Sequence, residues 1–106
     1  MASYARIFTL PPAEKDDTWV GQEFILYVNG IIKDLTGAAI VLTLDTGDTL
    51  TLADGEITIT DATAGKFRIG SQVITFTAGV HKYEIKFTFS DGEVKTYIKG
   101  HWTITS

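Results

Sequence analysis

Between Lys82 and Ile104 the sequence alternates apolar and polar residues with a period of two on both sides of Ser90-Asp91-Gly92-Glu93. Period two marks a half-buried strand. Asp-Gly between two such runs is a strong hairpin signal, because a two-residue type I′ loop needs positive φ at both central positions. With Asp91 and Gly92 at the tip, Phe89 faces Val94, Phe87 faces Thr96, Ile85 faces Ile98 and Tyr83 faces Gly100, all on one side. Thr88 and Lys95, Lys86 and Tyr97, and Glu84 and Lys99 share the other side. A strand pair with one apolar face must bury it against a second layer. The hairpin therefore predicts a layered all-β domain with the stripe from Tyr83 to Phe89 in its core.

The rest of the chain repeats this grammar. Ile7 to Leu10 reads as a short strand stopped by Pro11-Pro12, and Ala13 to Asp17 reads as loop. Gln22 to Val28 sets Phe24, Leu26 and Val28 against Ile25 and Tyr27, and Asn29-Gly30 is a second hairpin signal. Ala39–Leu44, Thr49–Leu52, Glu56–Thr60, Lys66–Ile69 and Val73–Phe76 follow, with Gly or Asp at most breaks, and Gly100 bends the last strand. No useful length carries apolar residues at helical spacing. Short strands every 8 to 12 residues or so predict an antiparallel two-sheet β-sandwich of about 7–9 strands, forming one domain over 1–106. Its expected core is Phe24, Leu26, Leu35, Ile40, Leu42, Leu50, Ile57, Ile59, Phe67, Ile69, Phe76, Tyr83, Ile85, Phe87, Trp102 and Ile104.

At 106 residues and 44% apolar content, the chain can bury a core without staples, and it has no cysteine for disulfides or thiolate metal sites. Met1 to Arg6 leads into no apolar stretch of signal-peptide type. The longest apolar run, Ala38 to Leu42, is far short of the roughly 20 residues that span a bilayer as a helix. A net charge of −4 with scattered basic residues argues against nucleic-acid binding.

Chemistry-bearing clusters are sparse. Asp45, Asp48, Asp54, Glu56 and Asp61 are acidic, but their spacing is that of turns and not of a calcium loop. His81 and His101 have no evident third ligand or nucleophile, and Ser3, Ser71, Ser90 and Ser106 lack a nucleophile-elbow context. No catalytic residue, metal or cofactor is implied. Aromatic residues outside the core pattern are the better candidates for a binding surface. Trp19 either plugs the end of the fold or forms a platform, and Tyr97 falls on the outward face beside Lys86. Ile25 and Tyr27 point away from the Phe24 stripe and need a cover from the same chain or from a partner, the same chain being the expected source.

Taken in order, Gly21-Gln22-Glu23-Phe24, Asp34-Leu35-Thr36-Gly37-Ala38, Glu56 to Asp61 with Gly65-Lys66-Phe67, and Gly79 through Tyr83-Glu84-Ile85 to Asp91-Gly92-Glu93-Val94-Lys95-Thr96 and Gly100 form one set of signals. The set resembles the small immunoglobulin-like β-sandwich modules of tailed-phage structural proteins, such as the N-terminal domain of siphophage upper baseplate proteins. It covers Gly21 to Ile104. The resemblance implies a non-enzymatic structural or assembly module of a virion, located in tail, baseplate or head-neck. Its partners would be other virion proteins or further copies of itself. Larger relatives continue into further domains, so this sequence reads as a free-standing virion protein or a fragment. Residues 1–20 fall outside the resemblance and read as an arm, either completing its own sandwich or reaching a neighbouring subunit. The alternative reading is a carbohydrate-binding module that stacks host glycan on Trp19 or Tyr97.

Overall fold

A computed structural model describes residues 6–106, which contain strands and turns and no helix. In chain order the strands are β1 (Arg6–Ile7), β2 (Leu10–Glu14), β3 (Thr18–Trp19), β4 (Gln22–Ile25), β5 (Tyr27–Val28), β6 (Ile31–Ile32) and β7 (Ala39–Leu44). They continue as β8 (Thr49–Thr51), β9 (Ile57–Asp61), β10 (Lys66–Ile69), β11 (Gln72–Val73), β12 (Gly79–Thr88) and β13 (Val94–Thr105). The long hairpin β12–β13 is the spine of a six-stranded sheet. β7 and β8 extend it beyond β12, while β1 and β2 line the far side of β13. This sheet curls as a half-barrel. A three-stranded sheet with β10 between β4 and β9 and the two ribbons β3–β11 and β5–β6 complete the structure.

The two larger sheets meet through aromatic rings. Phe67 of β10 stacks on Phe24 at 5.1 Å between centroids and presents an edge contact to Phe87 of β12 at 5.4 Å. Burial along β12 follows the predicted alternation: His81, Tyr83, Ile85 and Phe87 are buried and the residues between them exposed. Each fully buried aliphatic side chain contributes roughly 1.5–3 kcal/mol. The expected core is found apart from Ile59 and Phe76, which are half-buried against it, and it gains Leu10, Trp19, Leu44, Ile74 and Tyr97 among others.

The all-β class is as expected, but the pairing is not wholly antiparallel, since β1 and β2 run parallel to β13. Pro11 and Pro12 do not stop a strand either; they lie inside β2. An edge strand tolerates proline because the missing N–H faces no partner. The described part of the N-terminal arm thus pairs with its own chain. Residues 1–5, Ser3 among them, lie outside the described residues.

The register of the long hairpin departs from expectation twice. Gly92 has φ of +89°, while Asp91 is not in the positive-φ region. The Gly92 N–H donates to the Phe89 carbonyl at 2.9 Å and the Phe89 N–H to the Glu93 carbonyl at 2.8 Å. The loop is therefore three residues, Ser90 to Gly92, ending in a left-handed glycine of the bulge type. It pairs Thr88 with Val94, Phe87 with Lys95 and Lys86 with Thr96, one residue off the two-residue reading. A β-bulge at Tyr97 then adds one residue, so Ile85 faces Ile98, Glu84 faces Lys99 and Tyr83 faces Gly100 as predicted. The two offsets cancel. The type I′ loop proper is Asn29-Gly30, with φ of 55° and 79° between the paired Val28 and Ile31.

Gly100 does more than bend β13. A Cβ at this position would overlap the Phe8 carbonyl, so glycine lets the N-terminal strand lie directly on β13. The Tyr83 hydroxyl donates to that same carbonyl.

Candidate functional site

Two of the four candidate surface residues are interior. Trp19 is 5% exposed, tilts against Trp102 at 4.7 Å between centroids, and donates its indole N–H to the Pro11 carbonyl at 3.2 Å. Tyr97 is 7% exposed because the bulge turns it inward, where its ring lies 6.1 Å from both Phe87 and Phe89. Alternation counted through a regular ladder had placed it outside. Neither ring is available as a stacking platform for a sugar.

Ile25 and Tyr27 are on the surface, 42% and 45% exposed, and the cover expected from the same chain is absent among the described residues. Their orientation follows from Phe24 and Leu26, which turn inward between and beside them. Leu26 breaks the strand: its N–H donates to the Gly65 carbonyl at 2.9 Å and its own carbonyl accepts from the Lys33 N–H at 3.0 Å. The tight Asn29-Gly30 loop then sets Tyr27 beside Ile32, on the same face of the ribbon. Ile31 and Ile32 are 72% and 44% exposed. Sequence reasoning did not single out this isoleucine pair, although two apolar residues directly after a type I′ loop were the available signal.

Next to this ribbon a cleft of about 180 Å³ opens between the edge of β4 and the β13 side of the large sheet. Phe8, Phe24, Leu26, Tyr97 and Ile98 line it together with Ile25 and Tyr27, and Glu23 is its charged residue. Among the described residues β4 pairs only with β10, and its other edge is open. The combination of an apolar cleft, an uncovered apolar ribbon and an open strand edge suits burial against another surface.

The polar residues form turns. Thr36 N–H and hydroxyl both donate to Asp34 Oδ1, at 2.8 and 2.6 Å, which holds the Asp34 carboxyl below its usual range. Asp48 accepts from the Thr46 hydroxyl at 2.6 Å, Glu56 from the Thr51 N–H at 3.1 Å, and Asp61 from the Thr63 hydroxyl at 3.3 Å. Among the described residues no three His, Cys, Asp or Glu side chains converge as metal ligands would. Ser71, Ser90, Ser106 and His101 are exposed.

His81 is the exception among the polar groups, and sequence spacing gave no hint of its partners. Its ring is buried, with Nδ1 3.0 Å from Asp45 Oδ1 and Nε2 2.6 Å from the Thr77 carbonyl. The Lys82 N–H donates to Asp45 Oδ2 at 3.0 Å. The Thr77 carbonyl first and the Asp45 carboxylate second raise the His81 pKa, and the Asp48 charge adds to them. The Lys82 N–H and then the His81 ring lower that of Asp45.

No helix among the described residues is long and apolar enough to cross a membrane. Comparison of the chain with protein-family models, curated proteins and solved structures finds no match.

Proposed function

We propose that the protein is a non-enzymatic structural and assembly module of a tailed-phage virion, working by surface complementarity with other virion proteins. The observation that carries this reading is the uncovered apolar group Ile25, Tyr27, Ile31 and Ile32 beside the cleft at the β4 edge. Exposed apolar side chains gathered on one short ribbon, with Tyr27 beside Ile32 on one face and Ile31 on the other, are costly to leave in water and favour burial in a protein interface. The two β-layers joined by Phe24, Phe67 and Phe87 support the finer assignment to an immunoglobulin-like sandwich, here with one layer curled. Virion localisation and the phage partners rest on the resemblance of the motif series from Gly21 to Ile104.

The test uses the virion proteins encoded in the neighbouring reading frames, each purified and mixed with this chain, with light scattering to read the mass of any complex. Wild type should form a complex with one of them or with itself. Ile31→Lys combined with Tyr27→Ser should remove the complex and leave stability within roughly 0.5 kcal/mol, as expected for exposed sites. A wild-type protein that stays monomeric and binds none of them defeats the proposal.

A further inference from the structure

We propose that Asp45, His81 and Thr77 form a pH-operated latch that holds the loop between β11 and β12 in place when the imidazole carries two protons and frees it when one is lost. The geometry allows one fully bonded state. Both ring nitrogens face oxygen acceptors, a carboxylate at 3.0 Å and a backbone carbonyl at 2.6 Å, and neither acceptor has a hydrogen to give. Only the imidazolium has an N–H on each nitrogen. A neutral ring keeps the charge-assisted bond to the Asp45 carboxylate and turns a lone pair against the Thr77 carbonyl, so that the bond to the loop is the one lost.

The loop depends on that bond. Ile74 is anchored, its carbonyl accepting from the Asp16 N–H at 2.7 Å and its N–H donating to the Asp17 carbonyl at 3.0 Å. From Thr75 to Ala78 there is no backbone–backbone hydrogen bond among the described residues. At Gly79 the chain enters β12 with φ of +141°, a conformation open to glycine and rare for other residues, which makes a natural pivot. Two ties remain: the Thr77 carbonyl on the His81 ring, and Phe76 edge-on to Trp102 at 5.8 Å.

The surroundings favour the charged ring. The turn between β7 and β8 brings Asp45 into contact and Asp48 within electrostatic reach. The cross-strand neighbour on β13 is the uncharged Trp102. On β12 itself, Lys82 is exposed and paired with His101, and its backbone N–H binds Asp45. The latch therefore joins three separate segments, the 45–48 turn, the 75–78 loop and β12, through one titrating side chain.

The experiment is nitrogen-15 NMR on the full chain between pH 4.5 and 9. The His81 ring should titrate with a midpoint above the unperturbed value of about 6.5. At the same midpoint, order parameters for the amides of Thr75 to Ala78 should fall from about 0.85 towards about 0.6. Asp45→Asn, at an exposed position that keeps the shape, should weaken proton binding at His81 by roughly 3- to 10-fold and move the loop transition with it. His81→Gln should abolish the pH step in the loop; if that variant does not fold, Asp45→Asn carries the comparison. Loop order parameters that stay constant through the His81 midpoint, or a His81 ring that is neutral at pH 6, would overturn the latch.

Discussion

Trp19 and Trp102 donate their indole N–H groups to a single acceptor, the carbonyl of Pro11, at 3.2 and 3.0 Å. One oxygen on the β2 edge strand thus ties β3 and β13 together, and the two rings pack on each other above it. A carbonyl has two lone pairs and loses little while one donor remains. Either Trp→Phe substitution alone should remove one net hydrogen bond, about 1 kcal/mol, plus the packing of the lost indole ring portion. The double substitution leaves the carbonyl without a protein donor and should cost about 1 kcal/mol more than the sum of the singles. Urea unfolding of the four proteins in the cycle measures the coupling. Strict additivity would show that water takes the place of the second donor.

The steric fit of Gly100 under Phe8 makes a second expectation. Gly100→Ala would push the Phe8 carbonyl away from β13 and from the Tyr83 hydroxyl together, so we expect a loss of about 2–3 kcal/mol. Gly92→Ala, at a left-handed position with open space around it, should cost only about 1 kcal/mol of backbone strain. Limited proteolysis should cut before residue 10 in the Gly100 variant and not in the Gly92 variant. Tyr83→Phe should weaken the same edge by about 1 kcal/mol.

Tyr97 distinguishes the bulged hairpin from a regular one. On an outward face, Tyr97→Ala would be nearly neutral; in the interior beside Phe87 and Phe89 it should cost about 3 kcal/mol or more. Thermal denaturation monitored by circular dichroism should show a drop of roughly 12–24 °C in Tm, since each kcal/mol is worth about 4–8 °C in a domain of this size.

The His81 and Asp45 shifts have opposite signs and bound a window of stability. His81 gains proton affinity on folding, so its contribution is complete below the unfolded value of 6.5 and is lost as pH rises through the higher folded value. Asp45 loses proton affinity on folding, so its contribution is complete above 3.8 and is lost as pH falls through the lower folded value. Urea midpoints taken across the pH range should therefore be flattest between roughly pH 4 and 6.5 and decline on the alkaline side through the His81 transition. A midpoint that rises steadily from pH 6 to 9 would contradict the assignment.

Much of the fold could be read from alternation and turn chemistry, and the misreadings have physical causes. Asp-Gly serves both a two-residue type I′ loop and the end of a three-residue loop, so the tip of the long hairpin was placed one residue off. A bulge leaves no trace in the apolar pattern when the extra residue is itself aromatic, as Tyr97 is, and Tyr97 was accordingly read as exposed. Leu10 escaped the expected core because Pro11-Pro12 reads as a strand terminator unless the strand is known to be an edge, while Trp19 takes the packed position that its reading as a plug expected. The uncovered isoleucines at 31 and 32 sit in a ribbon too short to show a period. His81 meets an acceptor 36 residues away, a relationship no local pattern encodes.

The parallel pairing of β1 and β2 with β13 has a mechanical consequence. Neighbouring parallel strands pulled apart from opposite ends slide along their length, so tension entering before β1 and leaving after β13 loads the rungs from Arg6–Ile98 to Glu14–Thr105 together instead of one after another. A shear geometry of this kind resists force far better than a hairpin that unzips. In a single-molecule stretching experiment, pulling on the two terminal segments should meet a high rupture force, and pulling between the 45–48 turn and the 75–78 loop, which lie at the same end of the antiparallel pair β7–β12 and would unzip it, a much lower one.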